Sequence, residues 1–153
     1  MNLYFRLLQT IINALFAKRI RSVRSETCKV FRVLPNDLDL GFHMNNGRFV
    51  TVLDLCRVDL FVRTGLARLM LKNGWVPLVA EIKMEYLRPL KLFQKYEVKF
   101  RVTGWDDKFI YSEHSFISGG KTVAEGKSKG CVRASTGVIH PDRLISLLDL
   151  NIA

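Results

Sequence analysis

A long apolar segment in the middle of the chain restricts the possible folds more than any other feature of the sequence. It follows Phe49 and reads VTVLDLCRVDLFVRTGL, in which apolar residues dominate almost every helical face. A helix of this kind is buried on most of its surface, so the rest of the domain has to surround it. The main polar exceptions are Asp54, Arg57, Asp59 and Arg63.

The flanking residues predict one strand before this helix and extended structure after it. A first strand fits residues 27–34 and is ended by Pro35. The helix itself is expected over residues 46–65, because Gly65 is a typical helix stop. Gly74 and Pro77 then mark a return to extended structure.

The next two segments have the two-residue period of strands. Turns at residues 104–108 and at Gly119 and Gly120 predict that the last three strands form an antiparallel meander. The residues expected on one face are Ala80, Ile82, Met84 and Tyr86 in the first segment and Tyr96, Val98, Phe100 and Val102 in the second.

The final strand carries small residues along one face, so a bulky neighbour must lie close to it. We expect this neighbour to be the central helix. The order of one strand, one long helix and four antiparallel strands predicts an α+β fold, a sheet wrapped around one helix, with a short helix after Pro141. The small residues are Thr122, Ala124, Gly126, Ser128, Gly130 and Ala134.

The composition is that of one globular domain without a metal or cofactor site. The chain has 153 residues, of which 48% are hydrophobic and 25% charged. Its three cysteines are distant and odd in number, which predicts no disulfide framework and favours a reducing compartment such as the cytoplasm. Its three histidines are scattered, so no metal ligands are expected at helix spacing.

The loop before the central helix concentrates reactive residue types. Residues 37–49 read DLDLGFHMNNGRF, with two acids, a histidine and an asparagine pair. The first N–H groups of a helix lack internal partners, and with the positive end of the helix dipole they stabilise a developing oxyanion. An acid next to such a site indicates acyl chemistry.

These residues resemble the signature of hotdog-fold thioesterases of the 4-hydroxybenzoyl-CoA thioesterase type. The similarity is closest to the fatty-acyl thioesterase-like subgroup, which reads DLD, then HMNN, then an aromatic residue. It extends over residues 27–135, with AEIKMEYLRPL at residues 80–90 as a second matching block. One departure is Phe42, because many members have glycine directly before the histidine.

The resemblance implies a hotdog fold, hydrolysis of an acyl-CoA thioester and a homodimer or homotetramer with sites formed between subunits. Asp39 matches the catalytic acid, as nucleophile or as general base. The backbone N–H of Asn46 or Gly47 is the implied oxyanion donor. His43 either polarises the site or holds the loop through a backbone carbonyl.

Structural roles are open for the same residues. Asp39 can simply accept loop N–H groups, and the asparagine pair, Asn45 and Asn46, suits helix capping. Asp37 is interpreted as a loop-capping acid. Asp54 is a weaker catalytic candidate, because a helix pair with Arg57 accounts for it.

The formal charge of +10 calls for an anionic partner. Nucleic acid is not expected, because the sequence has no recognition motif and its basic residues are spread along strands. Coenzyme A carries several phosphate charges and explains part of the excess; a solvated basic surface is the alternative. The candidate substrate-binding residues are Arg88, Lys91, Lys127, Lys129 and Arg133.

Residues 1–24 precede the thioesterase-like domain, which is predicted over residues 25–153. They form an amphipathic helix whose apolar stretch is shorter than the roughly 20 residues of a membrane span. The basic residues follow the apolar part, which disfavours a cleaved signal peptide. The helix either lies on anionic lipid or packs its apolar side chains on the domain or a partner subunit, and packing is preferred.

Two functions of different classes follow. The first is hydrolysis of a fatty or aromatic acyl-CoA thioester. The second is a non-catalytic acyl-binding or membrane-associated adaptor on the same fold, which the amphipathic helix and Phe42 favour.

Overall fold

The computed structural model describes residues 3–152, and the side chains of residues 3–148. Residues 1, 2 and 153, which belong to the predicted N-terminal segment and to the predicted domain, lie outside the described residues. A 3₁₀ turn covers Pro35–Asp37. The helices are α1 (Leu3–Phe16), α2 (Asn46–Thr64), α3 (Leu66–Asn73) and α4 (Pro141–Ile152), and the strands are β1 (Thr27–Arg32), β2 (Val76–Tyr86), β3 (Lys95–Trp105), β4 (Ile110–Ser118), β5 (Lys121–Ala134) and β6 (Gly137–Val138).

The strands form one antiparallel sheet in the order β1-β3-β4-β5-β2, with β6 paired to the end of β5. The predicted meander β3-β4-β5 is confirmed. The two remaining strands join opposite sides of it, β1 beside β3 and β2 beside β5. The architecture is therefore the expected α+β sheet around a helix.

Helix α2 is buried as predicted. Its residues Val52 and Leu53 are fully buried, and they belong to one hydrophobic cluster with Val98 and Phe116 of the sheet. Burying a side chain of this size stabilises the fold by about 1.5–3 kcal/mol. The helix ends where expected, at Gly65, which has a φ of +87° that favours glycine.

Helix α3 has no counterpart among the elements that the sequence predicts. It begins directly after Gly65 and ends at Gly74, which also has a positive φ. This helix packs with the terminal helix α4 in a second apolar cluster, so its position depends on residues far away in the sequence. The buried members of this cluster are Leu66, Leu69, Met70, Val132, Ile139, Leu144 and Leu148.

The small residues of β5 have two different neighbours. Ala124 lies in the core cluster, and Ser128 accepts a hydrogen bond from Arg57 of α2, so these two positions face the helix as expected. At Gly126 and Gly130 the expectation is wrong. A Cβ atom there would collide with the backbone carbonyls of Lys83 and Leu78 in strand β2.

Strand β2 is an edge strand that is largely exposed within the chain. The predicted alternation holds for Ile82 and Met84, which are half-buried. It is interrupted by a register shift between Val79 and Glu81, so Ala80 does not continue the pattern. Nothing in the described part of the chain pairs with the outer edge of β2.

The predicted amphipathic helix is present as α1, but the side that faces the domain is not the apolar one. Its buried residues are Arg6, Thr10 and Ala14. The apolar side chains that remain exposed are Tyr4, Phe5, Leu8, Ile12, Leu15 and Phe16. Helix α1 does pack on α2, but its apolar face is only partly buried within the chain, where Leu3, Leu7 and Ile11 are half-buried. Its packing on a partner subunit stays a prediction.

Candidate active site

Asp37, the first acid of the loop, is a structural residue in this geometry. It is fully buried, and both carboxylate oxygens accept hydrogen bonds from the Arg6 guanidinium, at 3.0 and 2.7 Å. Its Oδ2 also accepts the Leu34 N–H, and its backbone carbonyl accepts the Asn45 N–H. Asp37 thus ties α1, the end of β1 and the start of α2 to one point. The sequence analysis proposed the loop contact and missed Arg6, which lies 31 residues away.

Asp39, the second acid, is exposed on a tight loop. The loop is closed by the Asp39 N–H, which donates to the His43 carbonyl at 2.9 Å. The Asp39 Oδ1 accepts the Gly41 N–H at 2.8 Å, with a longer contact to the His43 N–H at 3.5 Å. Its Oδ2 has no hydrogen-bond partner within residues 3–152. One oxygen is therefore held by the loop and the other is open to solvent.

The loop requires an unusual backbone at Phe42, which has a φ of +59°. This left-handed region favours glycine. The glycine found before the histidine in many similar sequences therefore has a conformational explanation, and Phe42 adopts the same type of backbone with 77% of its surface exposed.

The start of α2 contains one capped and one open N–H group. The Asn45 side chain caps the helix, because its Oδ1 accepts the Gly47 N–H at 2.8 Å. The Asn46 N–H has no partner in the described part of the chain. The Tyr86 hydroxyl donates to the Asn46 carbonyl at 3.2 Å and connects this helix start to the end of β2. Asn46, rather than Gly47, therefore has the open donor.

His43 and Lys91 are neighbours, since they pair in an isolated antiparallel bridge. The Arg88 guanidinium donates to the Thr122 carbonyl at the start of β5. The other basic candidates lie further along β5, and at about 3.3 Å per residue Arg133 is roughly 35 Å beyond Thr122. Among these candidates, Lys91 is the one that the described contacts place beside His43 of the Asp39 loop.

The basic residues in the middle of β5 have acidic partners. Lys127 lies 3.4 Å from Glu113, and Lys129 lies 3.5 Å from Glu81. Lys129 also lies over the Phe109 ring. These contacts are sufficient structural roles for both lysines.

The acids of α2 are both paired. Asp54 accepts from Arg57 at 2.6 Å, which confirms the predicted helix pair. Asp59 is buried between Lys29 and Arg63, at 3.0 and 3.2 Å.

His114 is a buried residue that the sequence analysis did not single out. It lies on β4 with 4% of its surface exposed, and burial together with the nearby Arg57 lowers its pKa to about 4. It is therefore neutral near pH 7. Its Nε2 contacts the Met84 sulfur, and its Nδ1 lacks a partner among the described residues. No period or motif in the sequence marks this position.

Within residues 3–152, no group of three or more His, Cys, Asp or Glu side chains is arranged to hold a metal ion. None of the helices described in this range combines the length and the apolar character needed to cross a bilayer.

Comparison with solved structures defines the fold. The fold matches a gentisyl-coenzyme A thioesterase with a TM-score of 0.70 and 17% sequence identity, over 80% of this chain and 99% of the other. It matches the YbaW probable thioesterase of Escherichia coli with a TM-score of 0.73 and 19% identity, over 80% and 96%. The fold is therefore the hotdog fold, as the sequence resemblance implied.

The sequence identifies the family. Residues 33–141 match the profile of the thioesterase-like superfamily, and the chain belongs to that family. Protein THEM6 of Xenopus laevis is 40% identical over 86 residues, which are 56% of this chain and 42% of that protein. Protein THEM6 of Danio rerio is 34% identical over 117 residues, 75% and 57% of the two chains. The chain thus spans about half the length of these relatives.

Proposed function

We propose that this protein hydrolyses an acyl-CoA thioester to the free acid and coenzyme A. The observation that carries the proposal is the Asp39 carboxylate with one open oxygen, on the loop that begins α2. The family and the exposed Asn46 N–H support the same reaction. The acyl group is proposed to be fatty or aromatic.

Asp39 and Asn46 have different roles in the proposed reaction. Asp39 Oδ2 either attacks the thioester carbonyl carbon or removes a proton from the water that attacks it. The carbonyl oxygen becomes an oxyanion and accepts the Asn46 N–H. The C–S bond then breaks, and the coenzyme A thiolate leaves and takes up a proton. In the nucleophilic route, water finally hydrolyses the acyl-aspartyl anhydride.

Replacement of Asp39 tests this proposal. Asp39→Asn is nearly isosteric but lacks a base or nucleophile, so turnover should fall by at least about a hundredfold. The matched control is Asp107→Asn, at a fully exposed acid between β3 and β4, and Asp54→Asn tests the weaker catalytic candidate on α2. All three variants are assayed with a thiol reagent over a panel of acyl-CoA chain lengths, and their melting temperatures are compared.

Three results would change the assignment. Near-normal turnover of Asp39→Asn with an unchanged melting temperature makes Asp39 structural. Loss of activity only in Asp54→Asn transfers the role to α2. Tight binding of acyl-CoA by the unaltered protein without release of thiol identifies a binding adaptor instead of an enzyme.

The coenzyme A moiety is proposed to approach along the loop that carries Lys91. Arg88, Lys127, Lys129 and Arg133 are weaker candidates for phosphate binding, because of their distances and their partners within the chain. A shared site in a homodimer or homotetramer would bring residues of two chains together.

Peripheral membrane contact is a second proposal, favoured by the exposed apolar face of α1. Phe16 is 88% exposed and Leu15 is 67% exposed, and they directly precede the basic residues Lys18, Arg19, Arg21 and Arg24. An apolar face beside cations binds the boundary of an anionic leaflet. The cytoplasmic leaflet supplies such lipids, and the proposed compartment is therefore the cytoplasm.

Vesicle co-sedimentation tests this contact. The double variant Leu15→Gln with Phe16→Ser should lose binding to phosphatidylserine-containing vesicles, and binding of the unaltered protein should weaken as salt screens the basic residues. The control is Leu71→Gln on α3, since Leu71 is 85% exposed on another helix. Equal binding of all three proteins, or no binding by any, contradicts the proposal.

A further inference from the structure

A cavity of about 280 Å³ lies between the C-terminal half of α2 and the strands of the sheet. Arg57, which lines it, is about 16 Å from Asn46 by helical rise, so the cavity is distinct from the Asp39 loop within one chain. Most of its wall is apolar. Representative side chains of this wall are Phe61, Leu78, Phe100, Val102 and Ile110.

Three buried polar side chains form one connected group in this wall. Arg57, Ser112 and Ser128 are each more than nine-tenths buried. The Ser112 and Ser128 hydroxyls lie 2.7 Å apart, and Arg57 Nη2 donates to Ser128 Oγ at 3.1 Å. Arg57 Nη1 donates to Asp54 at 2.6 Å. The group therefore joins α2 to strands β4 and β5.

This group retains unused hydrogen-bonding capacity. A guanidinium has five N–H donors, and two of those of Arg57 are used in the contacts above. The others have no hydrogen-bond partner among the described residues, where the guanidinium borders the cavity and lies 5.8 Å from the centroid of the Phe100 ring. Desolvating such donors without a partner is costly, so a purely hydrocarbon ligand suits this wall poorly.

We infer that the cavity receives the far end of a long acyl chain that carries an oxygen atom there, and that Arg57, Ser112 and Ser128 bind this oxygen. The inference rests on the proposed thioesterase function and specifies its substrate class. Asp54 already neutralises the Arg57 charge at 2.6 Å, which favours a hydroxyl or a ketone over a carboxylate. The apolar remainder of the wall accommodates the hydrocarbon part of the same group.

A purely structural role of Arg57, Ser112 and Ser128 predicts a different effect of mutation from a role in substrate binding. If the polar group only ties α2 to the sheet, removing one hydroxyl lowers stability and leaves the choice of substrate unchanged. If it binds the oxygen of the substrate, the same change reduces the preference for the oxygenated substrate. The two roles are therefore distinguished by the ratio of kcat/KM for the oxygenated substrate to kcat/KM for the matched substrate without the oxygen.

The experiment compares matched pairs of thioesters. Because Arg57 lies about 16 Å from Asn46, only an oxygen at the far end of a long acyl chain can reach it. The pairs are decanoyl-CoA against 10-hydroxydecanoyl-CoA and dodecanoyl-CoA against 12-hydroxydodecanoyl-CoA. In at least one pair, kcat/KM should favour the oxygenated member by about tenfold or more. Ser112→Ala and Ser128→Ala should each reduce that ratio several-fold. The control is Ser115→Ala, on the same strand but on the opposite face of the sheet.

The outcomes separate this inference from the proposed function. Ready hydrolysis of both members of every pair at equal kcat/KM overturns the inference alone, as does an unchanged ratio in both serine variants. If no thioester is hydrolysed, the proposed function fails, and calorimetric titration with decanoic and 10-hydroxydecanoic acid decides the inference. A preference for the hydroxy acid that is lost in Ser128→Ala supports it, and equal binding or no binding of the two acids overturns it.

Discussion

At the scale of single residues, two phenylalanines of the described chain have a backbone that favours glycine: Phe93 has a φ of +61°, and Phe42, in the Asp39 loop, has a φ of +59°. A residue other than glycine at a left-handed φ costs roughly 1–2 kcal/mol, and the exposed ring of Phe42 recovers little of this through burial. The strain at Phe42 lies in the loop that presents Asp39, next to the open carboxylate oxygen. Strained positions of this kind often occur at functional sites.

Substitution at this position should reverse the usual order of alanine and glycine. We expect Phe42→Gly to be more stable than Phe42→Ala by about 1 kcal/mol, because only glycine adopts this φ without a steric cost. The free energies of unfolding are measured by urea denaturation. Leu40, which is fully exposed in the same loop and lacks a positive φ, is the control position, where alanine should be at least as stable as glycine. The same order at both positions would contradict a strained Phe42.

At the scale of elements, one ion pair determines how α1 lies on the domain. Arg6 reaches the fully buried Asp37 with two hydrogen bonds and also contacts the Arg32 carbonyl. A buried carboxylate is stable only when it is paired. The polar side of α1 is therefore held inward, and its apolar side faces away from the domain.

Replacing Arg6 by an uncharged residue should strongly destabilise the fold. Arg6→Met keeps the length and helix propensity of the side chain and leaves Asp37 without its main partner, which costs about 3–5 kcal/mol for a buried pair. Arg48, at 3.9 Å from Asp37, offsets part of this loss. The matched control is Gln9→Met at an exposed position of the same helix. Equal melting temperatures of the two variants would show that the pair contributes little.

At the scale of the whole molecule, the two edges of the sheet are unequal. Strand β1 has α1 nearby, since Arg6 reaches the carbonyl of Arg32 at its end. Strand β2 is long and exposes apolar side chains, including Val76 at 54%. An open edge strand of this type pairs readily with another chain.

We therefore predict a homodimer or homotetramer that involves the β2 edge. Sedimentation equilibrium at micromolar concentration should show the oligomer for the unaltered protein and a shift towards monomer for Val76→Lys. Val30→Lys is the control, because Val30 is similarly exposed on the opposite edge strand. A monomeric unaltered protein, or dissociation only by Val30→Lys, would rule out this assembly.

Features that depend on local spacing are predictable from the residues alone. The apolar faces of residues 46–65 and the alternation in β3 predict a buried helix and a strand, because each pattern matches one backbone period. Glycine at position 65 marks the end of the helix for a conformational reason. The Asp54–Arg57 pair follows from helix spacing alone, and the DLD and HMNN residues indicate acyl chemistry through their resemblance to a known family.

Features that depend on distant partners are visible only once the elements have packed. The sequence shows that α1 is amphipathic, but the ion pair between Arg6 and the buried Asp37 places the polar side of α1 against the domain. The glycines of β5 are required by the backbone of β2, which is paired only after the sheet has formed. Asn45 takes the Gly47 N–H and leaves that of Asn46 open, and Arg57 meets Ser112 and Ser128 across the core. No residue pattern predicts these contacts, because a hydrogen bond between distant segments depends on how the elements pack.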